Sequence, residues 1–293
     1  MSERAGDHEW QRKIASAFEE ACRDELNSPK PGNVHVFAGG HRMTVTDFEC
    51  SAAAAIGPLT AVGQSVGTRI FGAVAAGIEA VKSNTNLGII LLCAPLAAAA
   101  ETLPFDLKGS LSGVLKELDL EDAELAFRAI VRASPGGLGR VERHDVYAPA
   151  TVNLREAMAE SAGRDRVALQ YVTDFADVFG FGEPLFATML ADLPDRRLAT
   201  LATYLGFLTA FPDSHIIRKH GLTVAEQTRR EASKLVAQVQ AAKRLEDILP
   251  GILVWDAALK RANINPGTSA DLTVATLFAH RLQNILPTAS KGD

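Results

Sequence analysis

The sequence predicts an all-α protein, on three observations. Apolar residues recur with helical spacing along most of the chain, as at Ile14, Phe18 and Cys22 and at Ile70, Val74, Ile78 and Val81. Segments of alternating character are scarce, and β-branched residues are diluted by alanine. Thr46-Asp47-Phe48-Glu49 and Thr223-Val224-Ala225-Glu226 carry capping-box spacing, which satisfies free N–H groups at a helix start. The pattern amounts to about ten helices. Residues 1–293 read as a single-domain multi-helix bundle, because no Ser/Gly/Pro-rich linker or charge run divides them.

In order, residues 8–27 form the first predicted helix, running directly into the irregular stretch Ser28–Met43, SPKPGNVHVFAGGHRM. Pro29 and Pro31 stiffen that stretch, and Gly32, Gly39 and Gly40 permit close approach or positive φ. An alanine-rich helix follows, broken near Gly57-Pro58, and then a helix over residues 69–82. The polar knot Ser83–Gly88 precedes residues 87–103, whose alanine and leucine content predicts a central buried helix. Residues 118–133 are amphipathic, and 134–146 are irregular and rich in glycine and basic residues. Residues 164–179 return to helical period, with Asp174 and Asp177 at i, i+3 on the other face. Two helices are predicted within 184–211, separated near Pro194. The junction Pro212–Gly221, PDSHIIRKHG, precedes a long helix through about residue 249. The last junction, within Arg261–Asp271, leads to a final helix ending near Leu286.

Composition narrows the function classes. A hydrophobic share of 47% is ordinary for a globular chain, and a net charge of −5 argues against nucleic acid as a partner. A small phosphate-bearing ligand stays open, because it needs only local positive charge. The N-terminus lacks the apolar stretch of a signal peptide, and Leu87–Ala100 contains Pro95 and is too short to span a bilayer. Cys22, Cys50 and Cys93 form no CxxC pair, which points to reduced thiols and a cytoplasmic location.

Four polar junctions stand out against this apolar helical background. Asn84-Thr85-Asn86 has the residue types of an anion site at a helix N-terminus, and equally those of a plain N-cap. Lys30 suits a phosphate or a solvated loop. His35 and His41 suit proton transfer or a metal, but no third ligand has zinc spacing. Arg218 and Lys219 form a phosphate clamp or a helix-end charge pair. Asp271 is either a magnesium ligand near substrate phosphates or the end of a Thr268–Asp271 capping box. Gly136-Gly137-Leu138-Gly139 with Arg140 has the composition of a phosphate nest, without the GK[ST] of a P-loop. Asp213-Ser214-His215 contains triad residue types, but consecutive residues rarely face one another, so it is no hydrolase signature.

The order of the junctions adds more than any one of them. SPKPGNV, GGHRM, NTNLG, PDSHIIRKHG and NPGTSADL, taken in sequence, resemble the triphosphoribosyl-dephospho-coenzyme A synthase family over roughly residues 20–280. The resemblance implies an all-α enzyme that joins C1 of the ATP ribose to a hydroxyl of dephospho-coenzyme A and releases adenine. It implies ATP as substrate and magnesium (Mg2+) as the expected metal. By residue match, Lys30, Asn33, His35, Asn84, Thr85, Asn86 and Arg218 fall on the substrate and phosphate side. Asp213 and Asp271 fall to metal binding and catalysis, His41 to catalysis, with Asp145, Asp165 and Asp174 in reserve.

The chain departs from the family pattern where that pattern has Asp, GAH-x-DM and NTHKG. Here stand His35, Gly39-Gly40-His41-Arg42-Met43 and Asn84-Thr85-Asn86-Leu87-Gly88. These substitutions resemble the branch associated with tetrahydromethanopterin-type cofactor synthesis, where the acceptor hydroxyl belongs to a ribitol-bearing pterin precursor. A helical nucleotide-binding protein without turnover is the non-enzyme reading. The expected partners are small-molecule substrates and, by allowance, a second copy in a homodimer. The junctions are expected to converge, with Lys30, Asn84, Asp213, Arg218 and Asp271 lining one cavity.

Overall fold

The computed structural model describes residues 2–40, 43–102, 106–135, 143–193 and 195–285, with the backbone alone for 2–7. The described residues hold fourteen α-helices and no strand. These begin with α1 (Ser2–Asn27), α2 (Val45–Leu59), α3 (Val66–Val81), α4 (Leu87–Thr102) and α5 (Leu107–Glu117). Next come α6 (Leu120–Ala133), α7 (Leu154–Ser161) and α8 (Arg166–Val172), then a π-helical turn at Val178–Gly182. The chain continues through α9 (Glu183–Asp192), α10 (Arg196–Ala210), α11 (Ser214–His220), α12 (Leu222–Ala241), α13 (Leu245–Arg261) and α14 (Gly267–Ile285).

The predicted class stands, and the count rises from about ten because several short helices occupy stretches without a long apolar period. One of them, α11, lies inside the junction PDSHIIRKHG. The predicted long helix after residue 223 is two helices, broken between Ala241 and Leu245. Both capping boxes differ from their predicted places. The box at the start of α2 is Thr44 with Asp47, two residues earlier than Thr46. Thr223 lies inside α12, whose N-cap is Gly221, and Glu226 pairs with Arg229. Pro58 does not break α2; it sits in the last turn, and the helix ends one residue later at Leu59. Asp174 and Asp177 are not a helical pair, because α8 ends at Val172 and Asp174 is left-handed at φ 52°. Asp174 binds Arg155 and Asp177 binds Arg166.

The core is organised on α4 and α14. Residues 89–97 of α4 are buried without a break, so this helix has no solvent face. It packs against α3, α5 and α14, and α14 in turn packs against α1 and α10. A second apolar cluster joins α10 to α12 and α13. The axis of the bundle contains a proline, Pro95, whose missing N–H leaves the carbonyl of Leu91 without its helical donor. Tyr171 repairs the gap: its hydroxyl donates to Leu91 O at 2.6 Å, fully buried. That bond also ties α8 to α4. Among the described residues no single helix is long and apolar enough to cross a membrane.

This pairing predicts a coupled mutant cycle. Tyr171→Phe should cost about 1–3 kcal/mol, the penalty of a buried carbonyl left unpaired. In a Pro95→Ala background the restored N–H serves Leu91, so the same change should cost clearly less. Urea unfolding of the four proteins measures the coupling, and additive effects would rule the repair out.

Candidate active site

The Pro-Gly stretch after α1 is fixed by buried polar contacts. The φ of Gly32 is +85°, and a Cβ there would lie 2.8 Å from Pro266 Cδ and 2.9 Å from Ile264 O. Only glycine allows this turn to touch the segment before α14. Gly32 N donates to Asp256 Oδ1 at 2.8 Å, and Tyr204 Oη donates to Pro31 O at 2.7 Å. His35 Nε2 lies 3.4 Å from the same Asp256 oxygen, and Lys260 Nζ bridges Asp256 Oδ2 and Ala38 O. Burial works against the Asp256 carboxylate, but His35, Lys260 and Gly32 outweigh it and hold its pKa below the ordinary value.

The segment Asn265–Asp271 is where the junctions meet. Asn33 Nδ2 donates to Asn265 Oδ1 at 2.9 Å. Asp213 is wholly buried, and its Oδ1 caps α11 by accepting from His215 N and Ile216 N. Its Oδ2 accepts from Ser269 N and Ser269 Oγ, both at 2.8 Å. The carboxylate thus clamps the start of α11 to the start of α14. From the other side, a Cβ on Gly88 would fall 2.0 Å from Asp271 Oδ2. The glycine of NTNLG is therefore what lets the first turn of α4 lie against the Asp271 carboxylate.

These contacts enclose a cavity of about 640 Å³. The first turns of α4 and α14 both open onto it, through Asn84, Thr85 and Gly88 and through Gly267, Thr268 and Asp271. Their positive dipole ends favour anions, although in α14 the N–H of Ser269 is already taken by Asp213 and that of Gly267 by Asn265 O. Asn84 Oδ1 accepts from Leu87 N at 3.2 Å, so it caps α4 while facing the cavity. Thr85 Oγ1 and Asn86 Nδ2 are buried at this helix start with no hydrogen-bond partner among the described residues. Arg164, Arg218 and Lys219 add positive charge to the wall, and Arg218 lies 3.7 Å from Asp165. Phe48, Leu91, Phe127, Ile130 and Met158 make the apolar part of the lining.

The cavity also holds four carboxylates among the described residues: Glu25, Asp145, Asp165 and Asp271. Asp165 caps α8, and Asp145 accepts from Tyr147 N. Asp271 accepts no hydrogen bond from any described residue. Burial first, and then the charges of Asp213, Glu25 and Asp165, push its pKa well above the ordinary carboxylate value; Arg218 offsets this in part.

The predicted site residues divide accordingly. Asn33, Asn84, Thr85, Arg218 and Asp271 reach the wall, with the reserves Asp145 and Asp165. Asn86 is buried just behind it. Lys30, predicted on a phosphate, is fully buried and paired with Glu25 at 2.5 Å. His35, predicted on the substrate side, is buried in the Asp256 brace. Asp213, predicted as a catalytic metal ligand, does not reach the wall, because its oxygens are taken by the α11 and α14 backbones and Ser269. His41, Arg42 and the stretch from Gly136 to Arg140 lie outside the described residues. Glu25 and Asp256 were missed, although a signal existed: each continues an apolar stripe. Glu25 follows Cys22 at i+3, and Asp256 stands between Ile252 and Leu259 at i+4 and i+3.

Among the described residues no three His, Cys, Asp or Glu side chains gather as a metal centre. Asp271 is the wall carboxylate whose oxygens accept no hydrogen bond among the described residues, so it fits a hard cation that takes its other ligands from phosphate oxygens and water.

Three comparisons place this geometry among known proteins. The sequence profile of a family described as CitG: ATP:dephospho-CoA triphosphoribosyl transferase matches residues 11–289. No curated protein sequence matches the chain. A crystal structure from Archaeoglobus fulgidus, provisionally assigned as a triphosphoribosyl-dephospho-CoA synthase, shares the fold with a TM-score of 0.62. It is 22% identical, and the alignment covers 80% of this chain and 97% of that one.

The contact between Gly88 and Asp271 makes a sharp prediction. Gly88→Ala should displace the Asp271 carboxylate, which is the mobile end of a side chain, at a stability cost of no more than about 1–3 kcal/mol. Turnover should fall about 10²-fold, the scale expected for a reacting group misplaced by an ångström. Thermal unfolding and steady-state kinetics separate the two effects; unchanged turnover would remove Asp271 from the active site.

Proposed function

The chain belongs to the ATP:dephospho-CoA triphosphoribosyl transferase family, and from that premise we propose that it moves the triphosphoribosyl group of ATP through C1 to an acceptor hydroxyl, with adenine as the leaving group. The observation that carries this reading is the meeting of two helix N-termini, Arg218 and Asp271 in one cavity that also has apolar lining. Such a site suits a polyphosphate at one end and a flat base at the other.

In this reading the first turn of α4 binds the triphosphate through its backbone N–H groups, and the positive dipole end of α14 adds to the attraction. Arg218 and Lys219 neutralise it from α11, and Thr85 Oγ1 and Asn86 Nδ2 gain the partners they lack. Asp271 would hold magnesium, which when bound neutralises the charge of the phosphate oxygens. The apolar wall of Phe127, Ile130 and Met158 receives the purine and keeps water from C1. Departure of adenine builds positive charge at C1, as in glycoside cleavage, and the wall carboxylates offset that charge. Asp213 acts from behind, by fixing α11 and hence Arg218 against α14.

For the acceptor, dephospho-coenzyme A is the first reading, as the family's own substrate. A ribitol-bearing pterin precursor is the second, and Leu87 favours it. Where the family pattern has lysine, this apolar residue lines the cavity and removes a cation from its wall. His35 has no bearing on this choice, since it does not reach the cavity.

Incubation with magnesium-ATP and each acceptor, followed by mass spectrometry, should give free adenine and one ribosylated product. Metal-free protein in excess chelator should be inactive. Release of ADP would mean phosphoryl transfer and would overturn the reading. Protection of the fold by ATP with no adenine release would instead support nucleotide binding without turnover.

A further inference from the structure

We propose that Glu25 is the base that takes the proton of the acceptor hydroxyl, with Lys30 behind it as its fixed counter-ion. The inference rests on the ribosyl-transfer reading above and adds a residue to it. Glu25 sits near the C-terminal end of α1, is 3% exposed, and nevertheless forms part of the cavity wall. Lys30 Nζ lies 2.5 Å from Glu25 Oε1 and has no exposure at all. Two opposite charges buried together are costly to desolvate, and an apolar pair of the same size would pack there at less cost. What distinguishes this pair is that one partner faces the cavity and the other does not.

The remaining wall carboxylates are committed otherwise. Asp165 caps α8 and faces Arg218, Asp145 accepts from a backbone N–H, and Asp271 is assigned to the phosphate end. A base must be ionised before it can accept a proton, and Glu25 alone among the four has a buried lysine dedicated to it. Burial raises its affinity for a proton and Lys30 opposes this, a balance that makes a carboxylate a more effective base near neutrality. The other titratable groups that feel its charge are Cys22 on α1, Tyr204 from α10 and Asp271 from α14. Burial pushes the thiol and the phenol up, so both stay neutral; burial and the nearby Lys260 push Lys30 down, and Glu25 is the charge that works against this.

The step balances as follows. The bond from C1 to the adenine nitrogen breaks and its electron pair leaves with the base, which takes up one proton from water. The acceptor oxygen forms the new bond to C1, and its proton passes to the Glu25 carboxylate. Glu25 later returns that proton to solvent. Lys30 touches no substrate; it is a positioning residue that acts through Glu25.

The test compares the parent with Glu25→Gln, Lys30→Gln and the double variant Glu25→Gln/Lys30→Met. The double variant removes both charges together, so it avoids leaving either one buried alone. It should fold, keep the thermal shift produced by magnesium-ATP, and lose adenine release by at least about 10²-fold. In Lys30→Gln the base loses its counter-ion and holds its proton more tightly. The acid limb of kcat/KM should therefore move to higher pH, a readout that a merely structural pair would not change. A double variant that folds and turns over within about threefold of the parent overturns the assignment, because general-base loss is larger than that. Failure of the parent to release adenine with any acceptor would instead bring down the ribosyl-transfer reading, and this assignment with it.

Discussion

The site depends on one buried carboxylate that never faces it. Asp213 gathers the backbone of His215 and Ile216 on one oxygen and the N–H and hydroxyl of Ser269 on the other. It thereby fixes the start of α11 to the start of α14, and with it the direction in which Arg218 and Lys219 leave the wall. Without that clamp the first turn of α11 and the N–H of Ser269 would lose an acceptor they share. Burial pushes the Asp213 pKa up, and the four donors work against it. The remaining junctions close on the same segment by contact: Gly32 lies under Pro266, and Gly88 under Asp271.

This arrangement explains why so many charges lie inside an otherwise apolar bundle. Each buried ion is part of a set that holds one backbone segment to another, or one side chain to the cavity. Asp256 with His35 and Lys260 holds the Pro-Gly turn, and Lys30 holds Glu25. Such sets add little net stability, because desolvation offsets most of the attraction, but removal of one member costs several kcal/mol. They specify geometry. The helices α4 and α14 supply the stability on which that geometry rests, through the unbroken burial of residues 89–97 of α4 and the burial of most of α14.

The helical class was legible because period and composition are local signals, repeated over many turns. The four junctions were legible as polar breaks in an apolar text, and Asn33, Asn84, Arg218 and Asp271, one from each, reach the same cavity. Which of their side chains face the cavity was not. Lys30 and a phosphate-binding lysine look alike in sequence, and only burial against Glu25 separates them. Asp213 and a metal-binding aspartate differ only in whether their oxygens are already taken. Glu25 and Asp256 were hidden for the opposite reason: they sit in regular helices, where a carboxylate on the apolar stripe is one residue among many. The start of α2 moved by two residues because two threonines, Thr44 and Thr46, each have an acidic residue three places on, and Thr44 with Asp47 forms the cap.

The central claim is that the nucleotide lies across this one cavity, with its phosphates on the start of α4. A crystal structure with magnesium and an ATP analogue whose base is joined to C1 through carbon tests it most directly. The account predicts phosphate oxygens on the backbone N–H groups at the start of α4 and on Arg218, C1 within reach of Glu25 and Asp271, and the base against Phe127 and Met158. A nucleotide bound on another face of the bundle, or phosphates lying along the apolar wall, would contradict it.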